Sequence, residues 1–487
     1  MLRRRWLIWV LLSQFAFAGA ERKSAWPERK TLPITTSSPQ ARKSFDRAMR
    51  NFEDYRINET LDALREAIKA DPKFAQALIL VAKITRDPAE QAVARRRAQK
   101  LASKVTPGEA LLIKWLADAE EDNYLPAIAA MNDLLSMYPE DARLAFLAGD
   151  WLILQGRNEQ SRIVLQHALT LHPEYPAALN DLAYSYAYAG DFANATASME
   201  RYVALEPEQP NPRDSYGEIL RMAGKFDAAL AQYRISVRMD PNFGSEVGVA
   251  DTLALMGREA EARDEYERAI VFAGSQSEKI QFELQMALTW IREGDRKQAE
   301  RALTDVAKHA HSAELCTWEA EAQRVLAIYE PDSKLSFQHL IAAERALEEP
   351  HEISMSDRND EEARVYLAQA VRAADFAETG IASQATDQLE RLAAQSRSRV
   401  VQLSYEGAVG ASLVAHGNYK AAIPHLQENG DDPLSLRMMW IAYDKMGASD
   451  KAHAVAARLA GLNIPTIEQA LVAAQFHGSL VSQATQP

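Results

Sequence analysis

Few residues in this sequence have the types and spacing that chemistry needs. His309 and His311 are two positions apart, and on a helix this spacing turns their side chains about 200° from each other. One metal ion could not bind both, so we expect an ordinary solvated helix end. The adjacent carboxylates of Glu120 and Glu121 could act as acid and base only inside a pocket, which the sequence does not predict. The phosphate-loop, dinucleotide, zinc-protease and serine-hydrolase motifs are absent from the sequence, so we expect no enzyme, no metal and no cofactor.

Composition narrows the class of protein further. The 487 residues include 55 Lys and Arg against 68 Asp and Glu, which gives a net charge of −13. This acid excess disfavours a nucleic-acid binder, which needs a basic face. Gly and Pro together make up only 40 residues, so a sandwich or barrel of many short strands is also disfavoured. The single cysteine, Cys316, excludes a disulfide framework, and its neighbours are typical of a packed helix, which predicts a buried structural thiol.

The first twenty residues have the pattern of a secretory signal. A basic start at Arg3, Arg4 and Arg5 precedes residues 6–18, which are apolar except for Ser13 and Gln14, and the small residues Gly19 and Ala20 complete a cleavage triplet with Ala18. This order predicts a signal peptide that is cleaved after Ala20 and exports the protein to the periplasm or cell envelope. A retained membrane anchor is the alternative, although crossing a bilayer takes roughly 20 apolar residues. We expect no transmembrane segment in the mature chain, because no later apolar run approaches that length.

Two residue types recur along the chain with a period of 34. Four prolines are spaced by 34 residues and four glycines by 34, 34 and 33: Pro139, Pro173, Pro207 and Pro241, with Gly156, Gly190, Gly224 and Gly257. Five residues after each glycine stands a small side chain: Ser161, Ala195, Ala229 or Ala262. Glycine provides a left-handed cap for a first helix, the small residue lets a second helix pack closely, and proline ends that second helix. The period therefore predicts helical hairpins that bury their apolar faces by stacking.

One stretch shows the pattern most completely. Residues 178–207 place large, small and aromatic side chains at fixed offsets: Leu179, Leu182, Ala183, Tyr186, Gly190, Phe192, Ala195, Met199, Tyr202 and Pro207. This pattern resembles the tetratricopeptide repeat, and it departs from that repeat only at Tyr202, where a small residue is usual. The next unit resembles it as well, through Tyr216, Gly224, Phe226 and Ala229. The resemblance implies an all-α superhelical solenoid of stacked helical hairpins with a concave groove.

The pattern divides the chain into segments of unequal regularity. We predict six: a signal peptide (1–20), a flexible lead-in (21–40), the tetratricopeptide array (41–274), degenerate helical hairpins (275–348), a polar linker (349–360) and a C-terminal helical region of the same type (361–487). The linker is predicted from the polar run that begins at Glu349 and Pro350, and the spacing returns at Gly410 and Gly417. Whether the array forms one superhelix or two that hinge at the linker stays open at this point.

The resemblance also indicates which side chains would face a ligand. First-helix positions two, five, nine, twelve and thirteen of such repeats face the groove, and carried onto this chain they include Phe146, Asp150, Asn180, Tyr184, Tyr188, Asp214, Glu218 and Arg221. Stacking on tyrosines and hydrogen bonds to the backbone could hold an extended peptide. The acids would favour a basic or neutral ligand. The alternative is that the tyrosines only pack between repeats.

These observations predict a protein-binding scaffold of the cell envelope that captures a protein or peptide in its groove and binds no nucleic acid. Two other functions stay open. One is an envelope enzyme of glycosyl transfer or peptidoglycan processing, whose catalytic domain would have to lie within residues 361–487. The other is self-association through the ends of the array, because terminal repeats need polar caps to stay monomeric.

Overall fold

The computed structural model describes residues 31–349, 352–473 and 475–476, and all of the regular structure there is helical. The helices follow one another as pairs, α1 with α2 through α23 with α24, which we number as pairs 1–12. Their bounds are α1 Pro39–Glu53, α2 Ile57–Ala70, α3 Ala75–Ile84, α4 Pro88–Leu101, α5 Pro107–Glu120, α6 Tyr124–Met137, α7 Ala142–Leu154, α8 Asn158–Leu171, α9 Pro176–Tyr188, α10 Phe192–Leu205, α11 Asn211–Met222, α12 Phe226–Met239, α13 Glu246–Leu255, α14 Glu259–Phe272, α15 Gln276–Glu293, α16 Arg296–Ser312, α17 Cys316–Tyr329, α18 Ser333–Glu348, α19 Met355–Asp375, α20 Thr379–Gln395, α21 Arg399–Ala415, α22 Tyr419–Glu428, α23 Pro433–Lys445, α24 Ser449–Ala460 and α25 Ile467–Val472.

The turns inside the pairs have the geometry that the glycine period predicts. Gly156, Gly190 and Gly224 adopt φ values of 64°, 77° and 73°, the left-handed region in which a side chain is strained. Asp122 and Tyr55 take the same conformation at the turns of pairs 3 and 1, with φ of 61° and 57°. The left-handed turn is therefore kept in these two pairs, although they lack the glycine.

Close packing within the pairs explains the small residues of the period. Ser161, Ala195, Ala229 and Ala262 are all fully buried, at 0% exposure. Each lies near the start of a second helix, where a larger side chain would push it from its partner. The prediction of stacked helical hairpins in an all-α solenoid is confirmed.

Contacts between distant pairs show how tightly the array coils. The Arg56 guanidinium, in the turn of pair 1, lies 2.9 Å from the Asp240 carboxylate at the end of pair 6. Arg86, in the turn of pair 2, lies 3.3 Å from Glu278 at the start of pair 8. One superhelical turn thus brings pair 8 back to the beginning of the array.

The second superhelical turn lies against the first. Asp122, in the turn of pair 3, accepts hydrogen bonds from Asn359 Nδ2 at 2.6 Å and from Ser396 Oγ at 2.8 Å. Further along, Asn463 Nδ2 donates to the Met222 carbonyl oxygen at 3.4 Å. Contacts across the predicted hinge therefore join the two parts of the array into one superhelix.

Two predicted segment boundaries differ from the structure. Only part of the predicted linker is non-helical, because Ser354 caps α19 through a hydrogen bond from the Asp357 amide and Met355 begins the helix. The lead-in was predicted to be flexible as far as residue 40, yet residues 31–38 are held by side chains of other pairs and α1 begins at Pro39. The predicted signal peptide (1–20) and residues 21–30 lie outside the described residues. None of the described helices combines the length and apolarity that a membrane span requires.

Candidate functional site

A large cavity lies in the concave face of pairs 1–5. Its volume is about 1220 Å³, and its walls come from the first helix of each of these pairs and from the extended segment before α1. Phe45, Met49, Leu112 and Leu147 form an apolar floor, and all four are buried. A cavity of this volume can receive several residues of an extended peptide.

Charged side chains surround the cavity, and acids outnumber bases. Six carboxylates and three guanidinium groups line it: Asp46, Glu53, Asp54, Glu140, Asp141 and Glu206, with Arg42, Arg50 and Arg143. Glu53 is already paired, because its Oε1 lies 2.6 Å from Arg143 Nε and accepts from the Tyr175 hydroxyl at 2.9 Å. Burial, helped by the nearby Glu206 and Glu53 charges, raises the pKa of Asp54 to about 6. The excess of negative charge favours a ligand with basic side chains.

The groove already binds one extended segment, which belongs to this chain. Residues 32–36 have no regular secondary structure and run along the first helices of pairs 2 and 3. The Leu32 amide donates to an Asp141 carboxylate oxygen at 2.8 Å, and Gln76 Nε2 donates to the Pro33 carbonyl oxygen. Side chains of the groove therefore bind backbone groups of this extended segment.

Glu109 is the principal anchor of this segment. Its side chain is fully buried, and its carboxylate accepts from the Thr35 amide at 3.2 Å, the Thr35 hydroxyl at 2.6 Å and Gln76 Nε2 at 3.1 Å. The same carboxylate closes the capping box of α5, because Oε2 also accepts from the amide and the hydroxyl of Thr106. One residue thus positions both the helix and the segment that crosses it.

The first three predicted groove residues are occupied by other parts of the chain. Phe146 is fully buried between Phe52 and Tyr175, with ring centroids at 5.9 and 5.6 Å, so its prediction as a ligand contact is wrong. Asp150 forms a 2.7 Å ion pair with Lys83 of α3. Asn180 is 1% exposed and lies beside Asp181, which accepts a hydrogen bond from the Tyr55 hydroxyl. The cause is the tight coil, which brings the end of α1 across the inner face.

The two predicted tyrosines form a stacked pair. The rings of Tyr184 and Tyr188 are 6.3 Å apart with an interplanar angle of 29°. The Tyr184 hydroxyl donates to Glu218 at 2.8 Å, whereas Tyr188 is 48% exposed. Burial raises the pKa of the Tyr184 hydroxyl, which therefore stays protonated and can donate to Glu218. Tyr184 supports the neighbouring pair, and Tyr188 alone presents its ring to solvent.

The predicted charged residues neutralise one another. Arg221 is 4% exposed and bridges Glu218 at 2.9 Å and Asp251 at 3.1 Å. Burial raises the pKa of Asp214 to about 7, although Ser245 opposes the shift with a hydrogen bond. The acids near pair 6 therefore offer a basic ligand less net charge than the sequence suggested.

A family model matches the segment that contains these pairs. The tetratricopeptide repeat model matches residues 116–178, 180–243 and 217–278. The matched part of this chain is therefore built of tetratricopeptide repeats. Solved structures resemble parts of this chain, and three of them are MamA, YrrB and a tetratricopeptide repeat protein from Parabacteroides merdae ATCC 43184. No curated protein sequence matches.

The three structures cover between a third and a little over half of this chain. The MamA crystal structure aligns over 34% of this chain and 95% of its own, with 17% identity and a TM-score of 0.28. YrrB, described as a tetratricopeptide repeat protein with an unusual peptide-binding site, aligns over 43% and 96%, with 15% identity and a TM-score of 0.27. A tetratricopeptide repeat protein from Parabacteroides merdae ATCC 43184 aligns over 55% and 93%, with 14% identity and a TM-score of 0.35.

The cavity was missed because three of its five pairs, pairs 1–3, lack the glycine signal. None of the eight predicted groove residues, which come from pairs 4–6, lines it. One signal was present in the sequence. Asp122 stands 34 residues before Gly156, and counting positions back from Asp122 places Glu109 and Leu112 at groove positions two and five.

The residues considered for chemistry are kept apart by the fold. His309 Nδ1 lies 2.8 Å from Glu283 and His311 Nδ1 lies 3.0 Å from Glu319, so the two rings have different partners. Glu120 accepts from Gln91 and Glu121 from Gln99. Within the described ranges, no three His, Cys, Asp or Glu side chains are grouped as a metal site requires. Cys316 is 4% exposed, and burial raises the pKa of its thiol, as a structural cysteine requires.

Proposed function

We propose that this protein is a non-enzymatic interaction scaffold of the cell envelope, which captures an extended peptide in the groove of pairs 1–5. The supporting observation is the chain's own segment in that groove. Residues 32–36 are held there through backbone amides and a carbonyl by Asp141, Gln76 and Glu109. The adjoining cavity offers the same kind of wall, and it is large enough for a second extended stretch.

The lining of the cavity specifies the chemistry of the peptide. Its buried floor suits apolar side chains, while the excess of carboxylates at the rim suits Lys or Arg. Burying an apolar side chain completely contributes roughly 1.5–3 kcal/mol, so two such residues and a few backbone hydrogen bonds give a moderate affinity. The captured peptide is therefore expected to alternate basic and apolar residues.

Peptide binding by charge-reversed variants tests this proposal. The protein is titrated into two sets of fluorescent ten-residue peptides with Leu-Pro at their centre. In one set Lys and Arg flank the centre, and in the other set Asp and Glu flank it. We expect the basic peptides to bind, and we expect Asp46→Lys or Glu206→Lys, both at the cavity rim, to lower their affinity about tenfold. The matched control is Glu208→Lys, which reverses an exposed charge two residues beyond the rim.

Two outcomes would overturn peptide capture at this groove. One is that neither type of peptide binds, and the other is that the rim variants and the Glu208→Lys control bind the basic peptides equally well. The envelope location rests on the signal pattern of residues 1–20. Cell fractionation with amino-terminal sequencing tests it, and the expected product begins at Glu21.

A further inference from the structure

The second part of the array also has an occupied concave face. Helix α25 packs against α15, α17 and α23, which are first helices of pairs 8, 9 and 12. Ile467, Ala470 and Leu471 are buried there, at 7%, 1% and 6% exposure. Phe476 continues the contact and meets Trp440 edge to face, with ring centroids 5.2 Å apart. A short helix in a groove of helices is a recurring mode of peptide recognition.

An ion pair fixes the orientation of α25 in this groove. Glu468, in its first turn, lies 2.7 Å from Nη1 of Arg324, a residue of α17 with 1% exposure. Arg324 also contacts Glu361 at 2.8 Å and Glu321 at 3.3 Å. Because the guanidinium group is already held by two carboxylates of the groove, it is positioned to accept a third from an incoming helix.

The charges of this cluster allow α25 to leave. With α25 in place, Glu321, Glu361 and Glu468 face the guanidinium groups of Arg324 and Arg364, so acids exceed bases by one. Without α25, two carboxylates face two guanidinium groups. Departure therefore leaves the charges of this cluster balanced, which avoids the usual penalty for breaking a buried ion pair.

A second arginine shows that α25 is an incomplete ligand for its groove. Arg292 of α15 donates from Nη2 to the Gln469 side-chain oxygen at 3.0 Å. Its Nε and Nη1 are buried and have no hydrogen-bond partner among the described residues. A neutral amide satisfies one donor where a carboxylate could accept from two in parallel. The groove is thus built for an acid at the position that Gln469 occupies.

We propose that the groove formed by α15, α17 and α23 is a binding site for a short amphipathic partner helix, which carries two successive carboxylates in its first turn and replaces α25. The first carboxylate takes the place of Glu468 at Arg324, and the second pairs with Arg292. Apolar side chains one turn further on take the places of Leu471 and Val472. Helix α25 holds the site until such a helix arrives. This site shares no residue with the cavity of pairs 1–5, so either proposal can fail without the other.

Exchange with labelled peptides tests the proposal on the full-length chain. The probe is a fluorescent peptide with the sequence of residues 464–476, and a second probe carries Gln469→Glu. In the wild-type protein the tethered helix competes at an effective concentration on the order of millimolar, so we expect weak binding of the first probe. The Glu468→Lys protein variant weakens the resident helix, and we expect it to bind this probe at least tenfold more tightly than wild type. The Gln469→Glu probe is expected to bind severalfold more tightly than the unmodified one.

A probe carrying Gln475→Glu is the matched control, since Gln475 is exposed and the change adds the same charge outside the groove. Equal affinity of the Gln469→Glu and Gln475→Glu probes would overturn the role of Arg292. A folded Glu468→Lys protein, checked by circular dichroism, that binds no probe better than wild type would overturn the replacement of α25. If that variant does not fold, hydrogen exchange of residues 467–472 in the wild-type protein decides instead. Saturating Gln469→Glu probe should then increase their exchange, and unchanged exchange would refute the proposal.

Discussion

Glutamine in place of Glu109 should release the segment that crosses the groove while leaving the helices folded. The Glu109 carboxylate accepts five hydrogen bonds, from the amides and hydroxyls of Thr35 and Thr106 and from Gln76. The substitution keeps the shape of the side chain but replaces one acceptor oxygen with a donor. In either orientation of the new side-chain amide, its nitrogen faces at least one of the groups that now donate to the carboxylate.

The size of the effect follows from these contacts. The Thr35 amide lies 3.2 Å from Oε1 of Glu109 in the wild-type protein. If the amide nitrogen of the new glutamine takes the place of Oε1, the Thr35 amide loses its acceptor, and the side-chain amide of Gln76 must flip so that its oxygen faces that nitrogen. Hydrogen bonds to a charged acceptor contribute about 1.5–3 kcal/mol each, and those that remain become neutral and weaker. We expect a loss of about 3 kcal/mol in the free energy that holds residues 32–36. Since 1.4 kcal/mol is tenfold in an equilibrium, the protection of these amides should fall about 100-fold.

Hydrogen exchange of residues 32–36, followed by mass spectrometry, measures this loss directly. Glu208→Gln is the control, because Glu208 is exposed and such a change usually shifts stability by no more than about 0.5 kcal/mol. Unchanged protection in Glu109→Gln would show that residues 32–36 are held by their apolar contacts. It would refute the inference that hydrogen bonds from groove side chains hold an extended segment there. Equal loss in both variants would point to a general effect of charge on the array.

Two further predictions concern pH and the contact between superhelical turns. Burial and the nearby Asp357 raise the pKa of Glu120 from 4.5 to about 8, so its contribution to stability is complete below pH 4.5 and is lost as pH rises to 8. In urea unfolding, Glu120→Gln should remove the part of the pH dependence that Glu120 causes, which is up to about 1.4 kcal/mol of unfolding free energy per pH unit. An unchanged pH dependence of the unfolding free energy would contradict this prediction. Asp122→Gly keeps the left-handed turn but removes the acceptor of Asn359 and Ser396, so exchange of residues 355–360 should rise. Exchange equal to wild type there would mean that other contacts hold the turns together.

The sequence predicted the repeats wherever local rules decide the structure. Glycine turns and prolines with a period of 34 correctly indicated helices α7–α12, because each marks a conformation that few other residues adopt. The polar run before residue 361 was misjudged for a physical reason. Within this run, Ser356 and Asn359 hydrogen-bond to Tyr124 and Asp122 of the other superhelical turn, and such a contact leaves no mark at short range in the sequence.

The candidate site was predicted less well, because the groove positions of a repeat do not reveal what else occupies the groove. Asp150 and Asn180 do belong to first helices on the concave face, yet Lys83 and the turn at Tyr55 reach them from repeats at the beginning of the array. The degree of coiling decides this, and it results from many small packing differences between pairs. The period of 34 fixes the pairs but does not fix the angle between them.

The two grooves differ in how firmly the chain's own ligand is held, and this difference predicts how partners gain access. In the first, Glu109 satisfies five donors with a fully buried carboxylate, and the cavity beside the segment stays open to a guest. In the second, α25 covers the groove but leaves two donor nitrogens of Arg292 unsatisfied. A peptide therefore meets no competitor in the cavity beside residues 32–36. A helix that enters the second groove instead has its apparent affinity reduced to the fraction of molecules from which α25 has been released. Weakening α25 through Glu468→Lys should consequently change helix binding alone, and reversing the charge of Asp46 should change peptide binding alone.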